Sequence, residues 1–142
     1  MTVRNADAVW EGALKDGKGK MKLGSGAFEG NFSYSSRFED ATGTNHEELL
    51  GAAHAGCFSM ALSSGLGKAG FNTRSIHTKA QVTLESVEGK SRITHIHLDT
   101  EASVPGISND QFQQIAQATR EGCPLSVALS NVPTTLVARL IS

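Results

Sequence analysis

The first third of the chain alternates polar and apolar residues, which is the pattern of half-buried β-strands. The alternation covers residues 8–14, 20–23 and 31–38, and glycine-rich segments separate these stretches. Asp16 and Gly17, inside the first separating segment, form a dipeptide that is typical of hairpin turns. We therefore predict three strands joined by short turns, with Arg37 near the end of the third strand.

The middle of the chain changes to a helical pattern. Asn45 is suited to the N-cap of a helix, and Glu48 stands three positions later, where the carboxylate of a capping box belongs. The helix is predicted to run to about Lys68, with Gly70 as its stop signal. Small or apolar residues cover most of its circumference, so we expect other elements to surround this helix on nearly all sides.

The last part of the chain mixes both patterns. Ser108 is a suitable N-cap for an amphipathic helix, and Pro124 is suited to the first position of a short one. The order of strands, central helix, strands, helices and strand indicates an α+β fold. The predicted elements after the central helix are strands at residues 75–85 and 91–104, helices at residues 108–122 and 125–129, and a strand at residues 133–141.

The size and charge of the chain predict a single domain and exclude some classes of function. The chain has 142 residues, which predicts one domain over residues 1–142. With 13 Lys and Arg against 14 Asp and Glu, the net charge is −1, so we expect no nucleic-acid partner.

Residues 1–7 lack the apolar core of a signal peptide. Residues 49–67 are long enough to span a bilayer but rich in glycine and polar residues, so we expect no membrane association and a cytoplasmic location.

Two thiols are the most reactive side chains in the sequence. In the reducing cytoplasm, Cys57 and Cys123 are free core thiols, metal ligands or a redox pair rather than a static disulfide. Cys123 stands at a helix N-cap position, where the helix dipole lowers a thiol pKa. On spacing alone Cys123 is therefore the more acidic thiol. Cys57 lies in mid-helix and needs a cation from another element to become a thiolate.

His54 stands three residues before Cys57 on the same helix face, so it could polarise that thiol. The alternative is a histidine packed in the core with one nitrogen satisfied. A metal site made of His54, Cys57 and Cys123 is conceivable, but no paired ligand spacing supports it. We therefore expect no bound metal.

Two longer segments carry a family resemblance. Residues 45–62, Asn-His-Glu-Glu-Leu-Leu-Gly-Ala-Ala-His-Ala-Gly-Cys-Phe-Ser-Met-Ala-Leu, and residues 122–126, Gly-Cys-Pro-Leu-Ser, resemble the two motifs of the OsmC/Ohr family, and most closely its OsmC branch. Residues 9–12, 36–38 and 104–107 fit as well. His46 stands where the family usually has proline, a change that we expect to affect the first helical residue and no chemical group. The resemblance implies antiparallel sheets wrapped around a long central helix in an intertwined homodimer.

The resemblance also implies an activity. It predicts a cysteine-based peroxidase that reduces organic hydroperoxides, and hydrogen peroxide less well, in oxidative or osmotic stress defence. By position, Cys57 is the peroxidatic cysteine, Cys123 the resolving one, Arg37 the activating cation and Glu47 the carboxylate that holds it. The assignment of Cys57 as the attacking thiol replaces the choice of Cys123 as the more acidic thiol, which was made from spacing alone. Glu48 keeps only its capping role.

The same resemblance predicts the partners. The Cys57 thiolate would become a sulfenic acid, and Cys123 would condense with it to a disulfide. A dithiol must then reopen the disulfide, and the family suggests a dihydrolipoyl group, free or on a lipoylated protein. No cofactor is expected. Two alternatives stay open: a stress-induced carrier of an apolar ligand with incidental thiols, and a metal-binding protein.

Helix geometry bears on the predicted homodimer. Glu47 and Cys57 are ten residues apart on one predicted helix, which separates them by about 15 Å along its axis and places them on different faces. Either Arg37 spans a long gap, the helix breaks, or Glu47 comes from a second copy. The second copy would also cover a helix that is apolar nearly all round.

Overall fold

A computed structural model describes residues 1–141 and has an α+β architecture. The chain forms two compact units, which divide between Leu49 and Leu50. The elements in chain order are β1 (Ala6–Glu11), β2 (Lys18–Leu23), β3 (Glu29–Phe32), α1 (Tyr34–Phe38), α2 (His46–Lys68), β4 (Ser75–Val87), β5 (Lys90–Ser103), α3 (Asn109–Gly122), α4 (Pro124–Ala128) and β6 (Thr134–Leu140).

The first unit contains a three-stranded antiparallel sheet in the order β1-β2-β3. Strand β1 ends at Glu11, three residues before the predicted end, because Gly12 adopts a φ of 96° that starts the loop to β2. The loop closes when the Gly17 N–H donates to the Ala13 carbonyl at 2.7 Å. The predicted hairpin is therefore confirmed with a longer loop.

The predicted third strand is wrong in its second half. Residues 34–38 form helix α1, so Arg37 lies on a helix and not near a strand end. Ser33 is the N-cap, and its hydroxyl accepts from the Ser36 N–H at 3.1 Å while the Ser36 hydroxyl accepts from the Ser33 N–H at 2.8 Å. This reciprocal capping box overrides the polar–aromatic alternation that favoured a strand.

The long helix α2 begins and ends as predicted. Asn45 Oδ1 accepts from the Glu48 N–H at 2.8 Å, and the Asn45 side-chain amide donates to the Glu48 carboxylate at 2.8 Å. At the other end, Gly70 has a φ of 92°, and the Phe71 N–H donates back to the Leu66 carbonyl at 3.0 Å. A left-handed glycine with this bond is a common helix stop. The helix runs unbroken between these ends.

The second unit contains a mixed sheet in the order β4-β5-β6. Strands β4 and β5 form a long antiparallel hairpin, whereas β6 pairs with β5 in parallel, so the expectation of purely antiparallel sheets is wrong for this pair. Parallel pairing requires a crossover, and residues 104–133 with helices α3 and α4 supply it. The core of this unit includes side chains that are fully buried: Phe58, Leu62, Leu66, Ile96, Leu98 and Phe112.

Candidate active site

Arg37 and Glu47 form a two-pronged ion pair in the first unit. The Arg37 Nε donates to Glu47 Oε1 at 3.1 Å, and Arg37 Nη2 donates to Glu47 Oε2 at 3.0 Å. The Glu47 side chain is 10% exposed and the Arg37 side chain 28%. A planar guanidinium held at two points has a fixed orientation and keeps its remaining N–H groups for other partners. The predicted contact between these residues is therefore present, whereas their catalytic role stays a prediction.

Short polar contacts fix the two helices that carry this pair. The Ser36 hydroxyl donates to the Thr44 carbonyl at 2.8 Å, and the Asn45 amide donates to the Ser36 carbonyl at 3.2 Å. Helix α1 is thus tied to the N-terminus of α2, which places Arg37 opposite Glu47.

An aromatic cavity of about 260 Å³ lies beside the Arg37 guanidinium. The Arg37 Cζ is 5.3 Å from the centre of the Phe38 ring, and the Trp10 and Phe32 ring centres are 5.5 Å apart. Gly19 makes this packing possible, because a Cβ there would lie 2.5 Å from a carbon of the Phe32 ring. The lining residues are Trp10, Leu14, Phe32, Ser33, Tyr34, Arg37, Phe38 and His46.

His46, which was expected to affect the first helical residue and no chemical group, contributes a ring to this cavity. Its imidazole packs edge-on against Phe32 at 5.4 Å between ring centres. Desolvation and the Arg37 guanidinium lower the pKa of His46, and Glu47 opposes them. The imidazole is therefore neutral at pH 7. The signal in the sequence for this contribution was His46 itself, which stands where the family usually has proline.

The two cysteines meet in the second unit, and both are free thiols. Cys123 is buried and Cys57 is half-buried, and the Cys123 side chain is near enough to raise the pKa of Cys57. Burial raises the pKa of the Cys57 thiol, the Leu125 backbone N–H that donates to its sulfur lowers it, and the neighbouring Cys123 raises it further. Within residues 50–141 the net effect therefore disfavours the Cys57 thiolate.

Cys123 is the N-cap of α4, as the sequence predicted. Its sulfur accepts from the Ser126 N–H at 3.4 Å and lies 3.1 Å from the Ser126 hydroxyl. On the other side, the same hydroxyl lies 2.9 Å from Nε2 of His54. His54 is completely buried, and its Nδ1 has no hydrogen-bond partner within residues 1–141. The packed histidine with one satisfied nitrogen is the interpretation that the structure supports.

Sequence reasoning missed Ser126. The available signal was its position three residues after the N-cap cysteine, where a side chain can fold back onto the cap. Among the described residues, 1–141, no group of three or more His, Cys, Asp or Glu side chains is placed to hold a metal ion. The conceivable metal site of His54, Cys57 and Cys123 is therefore not assembled.

Comparison with known proteins gives the family. A family model described as OsmC-like protein matches residues 39–137. Peroxiredoxin OsmC of Escherichia coli K12 is 47% identical over 131 residues, which cover 91% of this chain and 92% of the relative, and Peroxiredoxin OsmC of Shigella flexneri gives the same values. The chain belongs to the OsmC-like family.

Solved structures agree on the fold. The organic hydroperoxide resistance protein OhrB of Bacillus subtilis superposes with a TM-score of 0.71 at 22% identity, covering 95% of this chain and 98% of that protein. An OsmC-like protein from Mycoplasma pneumoniae has a TM-score of 0.78 at 14% identity, with 99% of both chains covered. At these identities the likeness concerns the fold alone.

Helix α2 is long and apolar enough to cross a membrane by length and composition, and 28% of its most apolar stretch is buried within the chain. Core helices of soluble proteins meet the same criteria of length and composition. Because the match to Peroxiredoxin OsmC covers 91% of this chain, α2 is best understood as a core helix of a soluble protein.

Proposed function

We propose that this protein is a thiol-dependent peroxidase that reduces organic hydroperoxides, and hydrogen peroxide less well, in stress defence. The observation that carries the proposal is the pair of adjacent free thiols, Cys57 and Cys123, in a chain 47% identical to Peroxiredoxin OsmC. The OhrB structure shares the fold, and its name refers to organic hydroperoxide resistance. The chain acts as one OsmC/Ohr-type domain over residues 1–142.

The chemistry begins at Cys57. Its thiolate attacks the terminal oxygen of the hydroperoxide, the O–O bond breaks, and the alkoxide leaves as an alcohol after taking a proton. Cys57 becomes a sulfenic acid. Cys123 attacks its sulfur, and a disulfide and one water form. A dithiol reductant, a dihydrolipoyl group or lipoylated protein, then restores both thiols and leaves as its own disulfide.

Arg37 is the cation that we assign to Cys57. Burial and Cys123 raise the pKa of Cys57, and a guanidinium close to the sulfur would lower it again. The bidentate contact with Glu47 holds Arg37 in one orientation. The aromatic cavity beside the guanidinium suits the alkyl or aryl group of an organic hydroperoxide. The catalytic set is thus Cys57, Cys123, Arg37 and Glu47.

We place the complete site at the interface of a homodimer. Helix α2 is unbroken, so Glu47 and Cys57 of one subunit are separated by about 15 Å along its axis. Either Arg37 spans that gap, or the Glu47 that holds it comes from a second copy of the chain. Met60 is 79% exposed on this apolar helix, and Ala52, Ala53 and Gly56 are exposed as well. A second copy of α2 would cover this surface. The Arg37–Glu47 pair of one subunit would then act on the thiols of its partner.

The test of the chemistry separates the two cysteines. Cys57→Ser should abolish the consumption of cumene hydroperoxide. Cys123→Ser should consume about one equivalent and then stall, because its sulfenic acid has no intramolecular partner. The reverse result would exchange the two roles. Binding of an apolar ligand without any peroxide consumption by the wild type would favour the carrier instead.

The test of the shared site mixes two inactive variants. Cys57→Ser subunits supply an intact Arg37–Glu47 pair, and Glu47→Gln subunits supply an intact thiol pair. After dissociation and reassociation, about half of the dimers are hybrids, and each has one complete site. Activity should therefore recover to about a quarter of the wild-type value. Two Glu47→Gln preparations mixed in the same way are the control. No recovery, or a monomer by light scattering, would contradict the shared site.

A further inference from the structure

A chain of side chains leads away from the resolving thiol, with a buried group at each end and the half-buried Ser126 between them, and it has no part in the peroxidase chemistry described above. It runs from Cys123 Sγ to the Ser126 hydroxyl at 3.1 Å and on to His54 Nε2 at 2.9 Å. We propose that Ser126 and His54 form a proton relay that deprotonates Cys123 when the disulfide forms and reprotonates it when the disulfide is reduced. This inference rests on the proposed peroxidase function.

The burial of the thiol and the imidazole favours a role for the packed His54 beyond filling space in the core. Cys123 is 1% exposed and His54 is 0% exposed, so solvent cannot accept the thiol proton directly. Burying an imidazole with one nitrogen unsatisfied costs free energy, and His54 Nδ1 is such a nitrogen within residues 1–141. An aliphatic side chain would fill the same space without that cost.

The protonation state of His54 suits a side chain that accepts a proton at Nε2. Burial lowers the pKa of His54, so the imidazole is neutral at pH 7. A neutral imidazole that carries its proton on Nδ1 accepts at Nε2 from the Ser126 hydroxyl. The Ser126 oxygen can then accept from the Cys123 thiol, which gives an unbroken donor–acceptor sequence.

In the forward step, the disulfide forms at the expense of the sulfenic acid S–O bond. Cys123 sulfur attacks the sulfur of the Cys57 sulfenic acid, the S–S bond forms, and the S–O bond breaks. The thiol proton moves to Ser126 as the Ser126 proton moves to His54. The departing hydroxide takes a proton from solvent, and the imidazolium, which is itself buried, returns one to solvent through the half-buried Ser126 hydroxyl. The net products are the disulfide and one water, and neither relay residue changes its oxidation state.

The reductive step uses the same path in reverse. Cys57 is half-buried and Cys123 is buried, so an external dithiol reaches the Cys57 sulfur first. Cys123 is then the leaving group and departs as a thiolate. His54 and Ser126 deliver the proton that it needs. Ser126 touches the reacting sulfur, whereas His54 acts through Ser126 and is a positioning residue.

The experiment follows the two half-reactions separately. Wild type, Ser126→Ala, Ser126→Thr and His54→Gln are mixed with one equivalent of cumene hydroperoxide in the presence of dimedone. Peroxide loss reports sulfenic acid formation, and mass spectrometry of quenched samples reports the disulfide and the dimedone adduct. Ser130→Ala is the matched control, because Ser130 is an exposed serine just beyond α4.

Ser126→Ala should consume peroxide at the wild-type rate but form the disulfide at least about tenfold more slowly, with more dimedone adduct. Ser126→Thr keeps the hydroxyl and should restore the rate. His54→Gln can still hydrogen bond to Ser126 but cannot take a proton, so it should resemble Ser126→Ala.

Three outcomes would overturn the relay: disulfide formation by Ser126→Ala at the wild-type rate, no rescue by Ser126→Thr, or a wild-type rate in His54→Gln. A wild type that forms no disulfide at all would instead refute the proposed function.

Discussion

Arg37→Lys separates the effect of the positive charge of Arg37 from the effect of its guanidinium geometry. The substitution keeps a positive charge on α1 but replaces the planar two-pronged donor with a single ammonium. Arg37 donates two bonds to Glu47, at 3.1 and 3.0 Å. Lysine can keep no more than one of these in the same orientation, so the cation loses its fixed direction towards the thiol.

The magnitude follows from the lost bond. A hydrogen bond to a charged group contributes about 1.5–3 kcal/mol. The lower part of that range applies here, because the Arg37 side chain is 28% exposed and water screens the pair. A loss of about 1.5–2 kcal/mol corresponds to a rate that is roughly 10 to 30 times lower. The reduction should fall on the reaction of Cys57 with peroxide and spare disulfide formation.

Stopped-flow measurement of peroxide loss in a single turnover isolates that step. Arg92→Lys is the matched control, because Arg92 is an exposed arginine on β5. Circular dichroism should show that both variants keep the fold. A rate for Arg37→Lys equal to that of wild type would refute the reasoning, because charge alone would then suffice. A loss in Arg92→Lys of the same size would point to a general effect of the substitution.

Three further predictions concern stability. Burial lowers the pKa of His54 below 6.5, so the unfolded chain binds a proton more readily than the folded one. Stability is therefore lost as the pH falls below 6.5, by up to about 1.4 kcal/mol per pH unit. Urea unfolding of His54→Gln should show a shallower loss than that of wild type. Leu62→Ala, at a fully buried position, should lower the free energy of unfolding by about 2–5 kcal/mol in the same assay, and a change under 1 kcal/mol would contradict the assigned core. Glu48→Ala should cost about 0.5 kcal/mol through its lost contact with Asn45 and leave single-turnover peroxide consumption unchanged; a slower reaction would give Glu48 a role beyond capping.

The elements with local signals were predictable from the sequence. Asn45 and Glu48 define the start of α2, and Gly70 defines its end, because caps depend on residues within one turn of the helix. Cys123 was placed correctly at the N-cap of α4 for the same reason. The error at Arg37 has a local cause as well, since the serines at positions 33 and 36 satisfy each other's backbone and stop the strand.

The contacts that make the site were not predictable from patterns. His54 and Ser126 are 72 residues apart in the chain, and no periodicity carries information across that distance. The parallel pairing of β6 with β5 was missed because alternation identifies a strand without its direction. The family resemblance supplied the partnership of Arg37 with Glu47, and the structure adds its bidentate geometry.

The crossover that leads to β6 gives the order of synthesis a chemical consequence. Cys123 lies within residues 104–133, a segment closed only when β6 pairs with β5 near the end of the chain. Cys57 leaves the ribosome 66 residues earlier, which is about 3–13 s at ordinary rates of translation. On the proposed chemistry, a sulfenic acid formed in that interval has no resolving thiol, and further oxidation to sulfinic acid is irreversible. Because the activating Arg37 belongs to the partner subunit in the proposed site, Cys57 gains its reactivity only after the chain that holds its resolving thiol is complete.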